Sequence, residues 1–146
     1  MISTRVFTEK EKLGEEEKSE IIDFLFDHLD EYGDAREDIA RCVGFALKEF
    51  PSFGGFVVVS YHEDKISGVV VVNRTGMTGY IPDNILVYIA THRELRGKGI
   101  GKQLMKETLD MAEGDVKLHV EPDNPARYLY EKIGFTSKYL EMRYKK

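Results

Sequence analysis

The segment IATHRELRGKGIGK, residues 89–102, decides the fold, because an apolar strand runs through a basic, glycine-rich turn into a helix. The first backbone N–H groups of a helix lack intrahelical partners and carry partial positive charge. Glycines let such a backbone approach an anion closely. Four cationic side chains add to this charge, namely Arg93, Arg96, Lys98 and Lys102. The segment therefore predicts an anion site, although a tight turn with exposed basic residues remains an alternative.

Two common phosphate-binding loops do not fit this turn. A Walker A loop needs Gly, four further residues and then Gly-Lys-Ser/Thr, a spacing that residues 97–102 do not have. A dinucleotide fingerprint needs a third glycine where Lys102 follows Gly97 and Gly99. The turn therefore matches neither of these two nucleotide-binding loops.

Strand-like and helical patterns alternate on both sides of the glycine-rich turn. Strands are predicted at Arg5–Phe7, 56–61, 65–73, 85–90, 116–120 and, as a closing strand or a pair of short strands, 135–144. Helices are predicted over Glu15–Leu29, from a capping Asp34 to Pro51, over Gly99–Ala112, and from Asp123 or Asn124 to Ile133. The order β-α-α-β-β-β-α-β-α-β predicts the α/β or α+β class.

Length and composition favour one domain spanning residues 1–146, since the chain has 146 residues of which 42% are hydrophobic. Its net charge of −5 argues against nucleic acid as a partner. The chain has no apolar run long enough for a transmembrane helix and no long apolar stretch at its N-terminus, so we expect a cytoplasmic protein without a membrane partner. Cys42, the single cysteine, excludes an internal disulfide and a cysteine-rich zinc site, and its apolar neighbours predict a buried position.

A second informative segment is DNPARYLYEKIGF, residues 123–135. Ala126 and Tyr130 are four residues apart and share one face of the predicted helix. The small alanine leaves room for a ligand against that face, where Tyr130 presents its phenol. Ordinary packing is the alternative for a tyrosine at this spacing.

Together the two segments resemble the GCN5-related N-acetyltransferase (GNAT) family. The acetyl-CoA motif of that family, Arg/Gln-x-x-Gly-x-Gly/Ala, is similar to residues Arg96 to Gly101, and the family's second motif resembles residues Leu129 to Phe135. Two departures stand out. Asp123 occupies the position of the family's asparagine, with Asn124 one residue late, and a proline often found before the arginine is absent. Either Asp123 or Asn124 could therefore face the cofactor.

The resemblance implies a central mixed, mostly antiparallel sheet flanked by helices, and acetyl transfer from acetyl-CoA to a primary amine by direct attack in a ternary complex. It implies coenzyme A as the only cofactor, with no metal, and Tyr130 as the general acid that protonates the departing thiolate. Binding of acetyl-CoA is expected at Ile89, Ala90, Thr91, Arg96, Gly97, Lys98, Gly99, Ile100, Gly101, Lys102, Asn124, Ala126 and Tyr130.

The acceptor amine and the base that deprotonates it stay open at this point. Base candidates are ordered water and four side chains, namely Tyr88, His92, His119 and Glu121. The resemblance places the acceptor, a small molecule or a peptide, over Asp27, Glu31, Tyr32, Asp34 and the loop of residues 76–82, whose acidic bias suits a cationic amine.

A homodimer formed through residues 139–144 is a further expectation. The competing functions are a non-catalytic acyl-CoA-binding or sensing module and an unrelated phosphate-binding protein. The presence of Tyr130 argues against the first, because a binding module needs no acid.

Overall fold

The computed structural model describes residues 2–11 and 13–146. Its strands are β1 (Ile2–Phe7), β2 (Gly55–His62), β3 (Lys65–Arg74), β4 (Asn84–Thr91) and β5 (Val116–Leu118). Its α-helices are α1 (Glu15–His28), α2 (Arg36–Ala46), α3 (Ile100–Met111) and α4 (Ala126–Ile133), and short 3-10 helices cover Asp30–Tyr32 and Arg93–Leu95. None of the helices in these two ranges is long and apolar enough to cross a membrane.

The five strands form one sheet in the order β1-β2-β3-β4-β5. The first three pairings are antiparallel, and β4 pairs with β5 in parallel over only three residues, Asn84–Leu86 against Val116–Leu118. The predicted mixed, mostly antiparallel sheet is therefore confirmed.

A β-bulge interrupts β4 at Val87. Val72 of β3 pairs with Leu86 and Val71 pairs with Tyr88, which leaves Val87 as an extra residue. Side chains alternate between the faces of a regular strand, so the extra residue places Leu86 and Tyr88 on opposite faces. Beyond the bulge, Ile89 shares a face with Leu86, and Ala90 shares one with Tyr88.

Each face of the sheet is covered by one pair of helices. Helices α1 and α2 cover the face that carries Val57, Val69, Tyr88 and Ala90. Helices α3 and α4 cover the other face, which carries Val58, Val70, Leu86 and Ile89. Gly68 permits this second contact, because a Cβ there would lie 2.4 Å from Leu104 Cδ1 of α3. The long valine runs of β2 and β3 are buried because both of their faces are covered.

The predicted closing strand is wrong, since residues 135–146 form neither a strand nor a helix. The alternating apolar pattern of this segment satisfies a local rule, but no neighbouring strand pairs with it in the part of the chain that the structure describes. Its large apolar side chains are exposed, including Tyr139, Leu140, Met142 and Tyr144.

The predicted ends of α2 also need correction. The side chain of Asp34 does not cap the helix, because its carboxylate accepts a hydrogen bond from Tyr88 instead. The helix ends at Ala46, before Pro51, because Lys48 adopts a left-handed conformation with a φ of 55°. The Glu49 N–H then donates to the Gly44 carbonyl, as at many helix C-termini.

Candidate active site

An open strand edge lies at the C-terminal half of β4. Pairing with β5 stops at Leu86, so residues 87–91 have no strand partner on that side among the described residues. Unpaired strand edges present N–H and C=O groups that can bind an extended ligand. The space beside residues 87–91 is called the β4–β5 cleft below. The residues Ile89, Ala90 and Thr91, at which the family resemblance predicts binding of acetyl-CoA, lie along this cleft.

The glycine-rich turn, residues 96–102, supplies a row of backbone donors beside this cleft. In the described part of the chain, no backbone carbonyl accepts a hydrogen bond from the N–H groups of these residues. The turn leads into α3, a helix of 12 residues whose N-terminal charge favours an anion. The turn therefore has the free backbone donors that the predicted anion site requires.

Two glycines of the turn have a backbone conformation that other residues rarely adopt. Gly97 and Gly99 both have a φ of 82°, and Gly99 forms the N-cap of α3. An added Cβ at either glycine would meet no atom within 4 Å, so the conformation and not the space requires glycine.

The turn, β4 and α4 meet at Gly101. A Cβ built on Gly101 would lie 3.6 Å from Thr91 Cγ2 at the end of β4 and 3.6 Å from Leu129 Cδ2 of α4. Ile89, Ala126 and Tyr130 pack in the cluster under α3 and α4. Ala90 is the exception among the predicted residues, because its side chain faces α1 and α2. The sequence motifs therefore converge on one end of β4.

Tyr130 is buried in that cluster with 8% of its surface exposed. Its ring contacts Phe135 edge-on at a centroid distance of 6.1 Å. Burial raises the pKa of the phenol to about 12. No side chain or carbonyl among the described residues forms a hydrogen bond with its hydroxyl. The phenol is therefore protonated at neutral pH and free to donate to a ligand.

The structure separates the roles of Asp123 and Asn124. The Asn124 side-chain oxygen accepts a hydrogen bond from the Ala126 N–H at 2.9 Å, so it caps the start of α4. Asp123 uses its backbone carbonyl to accept a hydrogen bond from the Tyr32 hydroxyl at 3.2 Å. Asn124 thus fixes the helix that carries Ala126 and Tyr130, although it stands one residue late in the motif.

Sequence reasoning missed Asp30, which neutralises two of the four cations near the turn. Its carboxylate accepts hydrogen bonds from Arg93 at 2.7 Å and from Arg96 at 2.9 Å. The sequence contained one indication of this pairing. An acidic residue just after the end of a helix, such as Asp30 after α1, is unfavourable unless a cation is near. Lys98 and Lys102 are exposed, and Lys102 lines a shallow depression along α3 together with Gly99, Gln103, Lys106, Glu107 and Asp110.

The candidate bases differ sharply in their surroundings. Tyr88 donates its hydroxyl proton to Asp34 at 2.6 Å, and burial together with this carboxylate raises its pKa far above its ordinary value. Tyr88 is therefore unsuited to act as a base. His92 packs against His28 with a centroid distance of 4.2 Å, and its Nδ1 accepts from the Glu94 N–H. Glu121 is exposed in the connection between β5 and α4.

His119 is the first residue after β5, and it is exposed. Burial of part of its ring is the main cause that lowers the pKa of this imidazole, with a smaller contribution from Lys117. A lowered pKa keeps the imidazole neutral, and therefore able to accept a proton, at neutral pH.

Of the predicted acceptor surface, Tyr32 and Asp34 lie near the cleft through their contacts with Asp123 and Tyr88. The loop of residues 76–82 leads into β4 at Asn84, before the part of the strand that borders the cleft, residues 87–91. Three to seven strand steps of about 3.4 Å place residues 87–91 about 10–24 Å from Asn84. Residues 2–11 and 13–146 contain no group of three or more His, Cys, Asp or Glu that could hold a metal ion.

A family model described as acetyltransferase (GNAT) domain matches residues 53–137, which is more than half of the chain. The chain belongs to the GNAT acetyltransferase family. The matched region contains β2, β3, β4, the glycine-rich turn and α4. The search of curated proteins found no match.

Solved structures similar to this GNAT protein cover nearly its whole length. PH1933 from Pyrococcus horikoshii OT3 is 26% identical, with 97% of this chain and 93% of that chain covered and a TM-score of 0.71. A ribosomal-protein-alanine N-acetyltransferase from Brucella melitensis biovar Abortus 2308 is 16% identical, with 99% of each chain covered and a TM-score of 0.68.

Ard1 from Thermoplasma volcanium is 20% identical, with 94% of this chain and 84% of that chain covered and a TM-score of 0.66. At this level of identity, the Brucella and Thermoplasma structures support the fold alone.

Proposed function

We propose that this acetyltransferase moves the acetyl group of acetyl-CoA to a primary amine, by direct attack of the amine in a ternary complex. The observation that carries the proposal is the meeting of three features at one end of β4. These are the unpaired edge of residues 87–91, the free backbone donors of residues 96–102, and the buried phenol of Tyr130.

Binding of the coenzyme rests on the glycine-rich turn. Its backbone N–H groups and the positive end of α3 would hold the pyrophosphate. The exposed cations Lys98 and Lys102 add electrostatic attraction. The open edge of β4 at Ile89, Ala90 and Thr91 would pair with the extended pantetheine arm.

The reaction needs a polarised thioester carbonyl and a protonated leaving group. A backbone N–H near Ile89 or Ala90 would donate to the carbonyl oxygen as negative charge develops there. The amine lone pair forms the new C–N bond, and the C–S bond then breaks. The electron pair of that bond leaves on sulfur, and the Tyr130 hydroxyl delivers a proton to the thiolate. Solvent afterwards returns a proton to Tyr130.

The proton of the attacking amine goes to His119 or to water. Tyr88 cannot take it, because its own proton is held by Asp34 and its pKa is strongly raised. His119 is neutral at pH 7 and stands at the end of β5, on the far side of the cleft from β4. A His119→Gln variant with unchanged rates across pH 5–9 would leave water as the acceptor of the proton.

The acceptor is a small-molecule or peptide amine that approaches between the β4–β5 cleft and the segment of residues 30–34. Asp34 and Glu31 give this approach a negative charge, which favours an amine carried on a cationic molecule. Release of coenzyme A, followed with a thiol reagent over a panel of cationic, neutral and acidic amines, would identify the class. Preference for acidic acceptors would contradict this assignment.

Calorimetric titration of acetyl-CoA, ATP and NAD into the protein is the first test. Saturable one-to-one binding of acetyl-CoA, without comparable binding of ATP or NAD, is the expected result. Equal binding of all three would show that the turn is a general anion site and would overturn the proposal. Binding of acetyl-CoA without release of coenzyme A for any amine would favour an acyl-CoA-binding module instead.

A further inference from the structure

We propose that Asp30 is a positioning residue for the glycine-rich turn. Its carboxylate holds Arg93 and Arg96 at the two ends of the short 3-10 helix that leads into the turn. Its consequence for acetyl-CoA rests on the function proposed above, whereas its effect on the turn itself does not.

Both oxygens of the Asp30 carboxylate are used. Oδ1 accepts from Arg93 Nη2 at 2.7 Å, and Oδ2 accepts from Arg96 Nη1 at 2.9 Å. These contacts join segments 63 and 66 residues apart in the sequence. They are charge-assisted hydrogen bonds, which are stronger than bonds between neutral groups.

The end of α1 contributes further acceptors to the same two arginines. Arg93 Nη2 donates to the Asp27 carbonyl at 2.6 Å, and Arg96 Nη2 donates to the His28 carbonyl at 2.7 Å. The Arg93 N–H also donates to His28 Nδ1 at 3.2 Å. The last carbonyls of a helix lack intrahelical partners, so α1 gains from these bonds as well.

The conformation of Asp30 indicates that the surrounding structure holds it in place. Its φ is 55°, a left-handed value that costs free energy for a residue other than glycine. Asparagine tolerates this conformation about as well as aspartate does. The Asp30→Asn variant therefore removes the charge while it preserves the size and the backbone conformation.

The position of these bonds connects Asp30 with the anion site. Arg96 is both a partner of Asp30 and the first residue of the glycine-rich turn. Fixing its side chain to α1 fixes the start of the row of free N–H donors. Because Asp30 balances two positive charges, the backbone donors and the nearby lysines are left to attract the phosphates.

The first experiment compares acetyl-CoA binding by calorimetry in the wild type, Asp30→Asn and the control Asp23→Asn. Asp23 is a matched control, because it is a carboxylate of α1 that also pairs with an arginine, Arg36 of α2. We expect Asp30→Asn to raise the Kd about five- to tenfold, since it removes two partly exposed ion pairs that contribute up to about fivefold each. Asp23→Asn should stay within about twofold of the wild type.

Two results in a protein that binds acetyl-CoA would overturn the inference. An unchanged Kd in Asp30→Asn would mean that the ion pairs do not position the turn. A lower Kd would mean that Asp30 merely competes with the phosphates for the arginines. A double-mutant cycle with Arg96→Gln adds a readout that a loss of stability does not move. We expect the loss of affinity in the double variant to be smaller than the sum of the losses in the two single variants, because only the part of the Asp30 effect that acts through Arg93 remains once Arg96 is replaced. Fully additive losses would contradict a role through Arg96.

A second experiment needs no ligand, so it separates failure of this inference from failure of the proposed function. Hydrogen exchange measured by NMR reports on the amides of Arg93 and Leu95, which are bonded to His28 Nδ1 and to the His92 carbonyl. Both amides should exchange faster in Asp30→Asn and at the wild-type rate in Asp23→Asn. Unchanged exchange in Asp30→Asn would overturn the inference whether or not the wild type binds acetyl-CoA.

Discussion

At the scale of single residues, burial prepares Tyr130 to donate a proton. The raised pKa of about 12 keeps its phenol protonated throughout the range in which the enzyme would be assayed. A change of rate between pH 6 and pH 10 must therefore come from another group or from the acceptor amine. The free hydroxyl also means that a ligand need not displace an existing hydrogen bond.

Replacement of Tyr130 by phenylalanine tests this role. The ring and its packing against Phe135 are retained, but the proton donor is lost, so kcat should fall by about 10²–10⁴-fold. Acetyl-CoA binding should persist. Tyr128→Phe on the same helix is the control, since Tyr128 is 69% exposed and outside the buried cluster. An unchanged kcat in Tyr130→Phe would remove this residue from the mechanism.

Cys42 illustrates the opposite case, a reactive group that burial makes inert. Its thiol is buried and contacts the Asn73 amide at 3.4 Å, and burial raises its pKa to about 12. At pH 8 only about one thiol in ten thousand would be ionised. Alkylation by iodoacetamide should thus be at least about a hundredfold slower in the native protein than in urea. Equal rates in both conditions would show that the thiol is accessible.

Several residue roles could be predicted from the sequence, and others could not. Local spacing was sufficient to predict the free backbone donors of residues 96–102 and the shared helix face of Ala126 and Tyr130. It was insufficient to predict the role of Asp34, because its hydrogen-bond partner Tyr88 lies 54 residues away in the sequence. A motif specifies a backbone shape and a helical face, whereas the partner of an acidic side chain depends on tertiary contacts.

At the scale of elements, the start of α3 depends on two glycines with different requirements. Gly99 has a positive φ, so Gly99→Ala should lower the free energy of unfolding by about 1–2 kcal/mol. Gly101 lies inside the helix, where an added Cβ would make ordinary contacts at 3.6 Å. Gly101→Ala should be neutral or stabilising by up to about 1 kcal/mol. Urea unfolding would measure both variants, and an equal loss in each would contradict the assigned conformations.

The elements that were predicted wrongly depend on structural features that their local sequence pattern does not contain. Residues 135–144 have a strand pattern, but no strand among the described residues pairs with them. Helix α2 ends at Ala46 because Lys48 adopts a left-handed conformation, although neither glycine nor proline stands there. A strand exists only when a neighbour pairs with it, so its local pattern is an incomplete signal. The elements around the glycine-rich turn were predicted correctly because their core-facing periodicity extends over whole helices and strands.

At the scale of the whole molecule, His28 makes stability depend on pH. Burial is the main cause that lowers the pKa of this imidazole, followed by His92, while Asp27 opposes the shift and Arg93 and Arg96 add to it. The unfolded chain therefore binds a proton at a higher pH than the folded protein does. Stability should decrease as pH falls below the unfolded value of about 6.5 toward the lower folded value, and this contribution should be constant above that window.

Urea unfolding at pH 5.5, 7.5 and 8.5 would test this dependence. We expect a lower free energy of unfolding at pH 5.5 than at pH 7.5, and a smaller difference between these two pH values in His28→Gln. His119, whose pKa is also lowered, contributes in the same direction and should leave part of the difference in place. The idea fails if His28→Gln shows the same difference as the wild type.

The bulge at Val87 determines which face of the sheet each later residue of β4 occupies. If Val87 instead paired as a regular strand residue, strict alternation would turn Tyr88 toward α3 and α4, and Ile89 toward α1 and α2. A large aromatic ring would then occupy the layer that holds Tyr130, and Asp34 would lose its partner. Loss of Val87 itself would remove the bulge and leave Tyr88 and Ile89 on their present faces, whereas loss of a residue from a regular part of the strand would move every later side chain to the opposite face. During evolution, a change in the length of this strand should therefore be tolerated at the bulge and not at its regular positions.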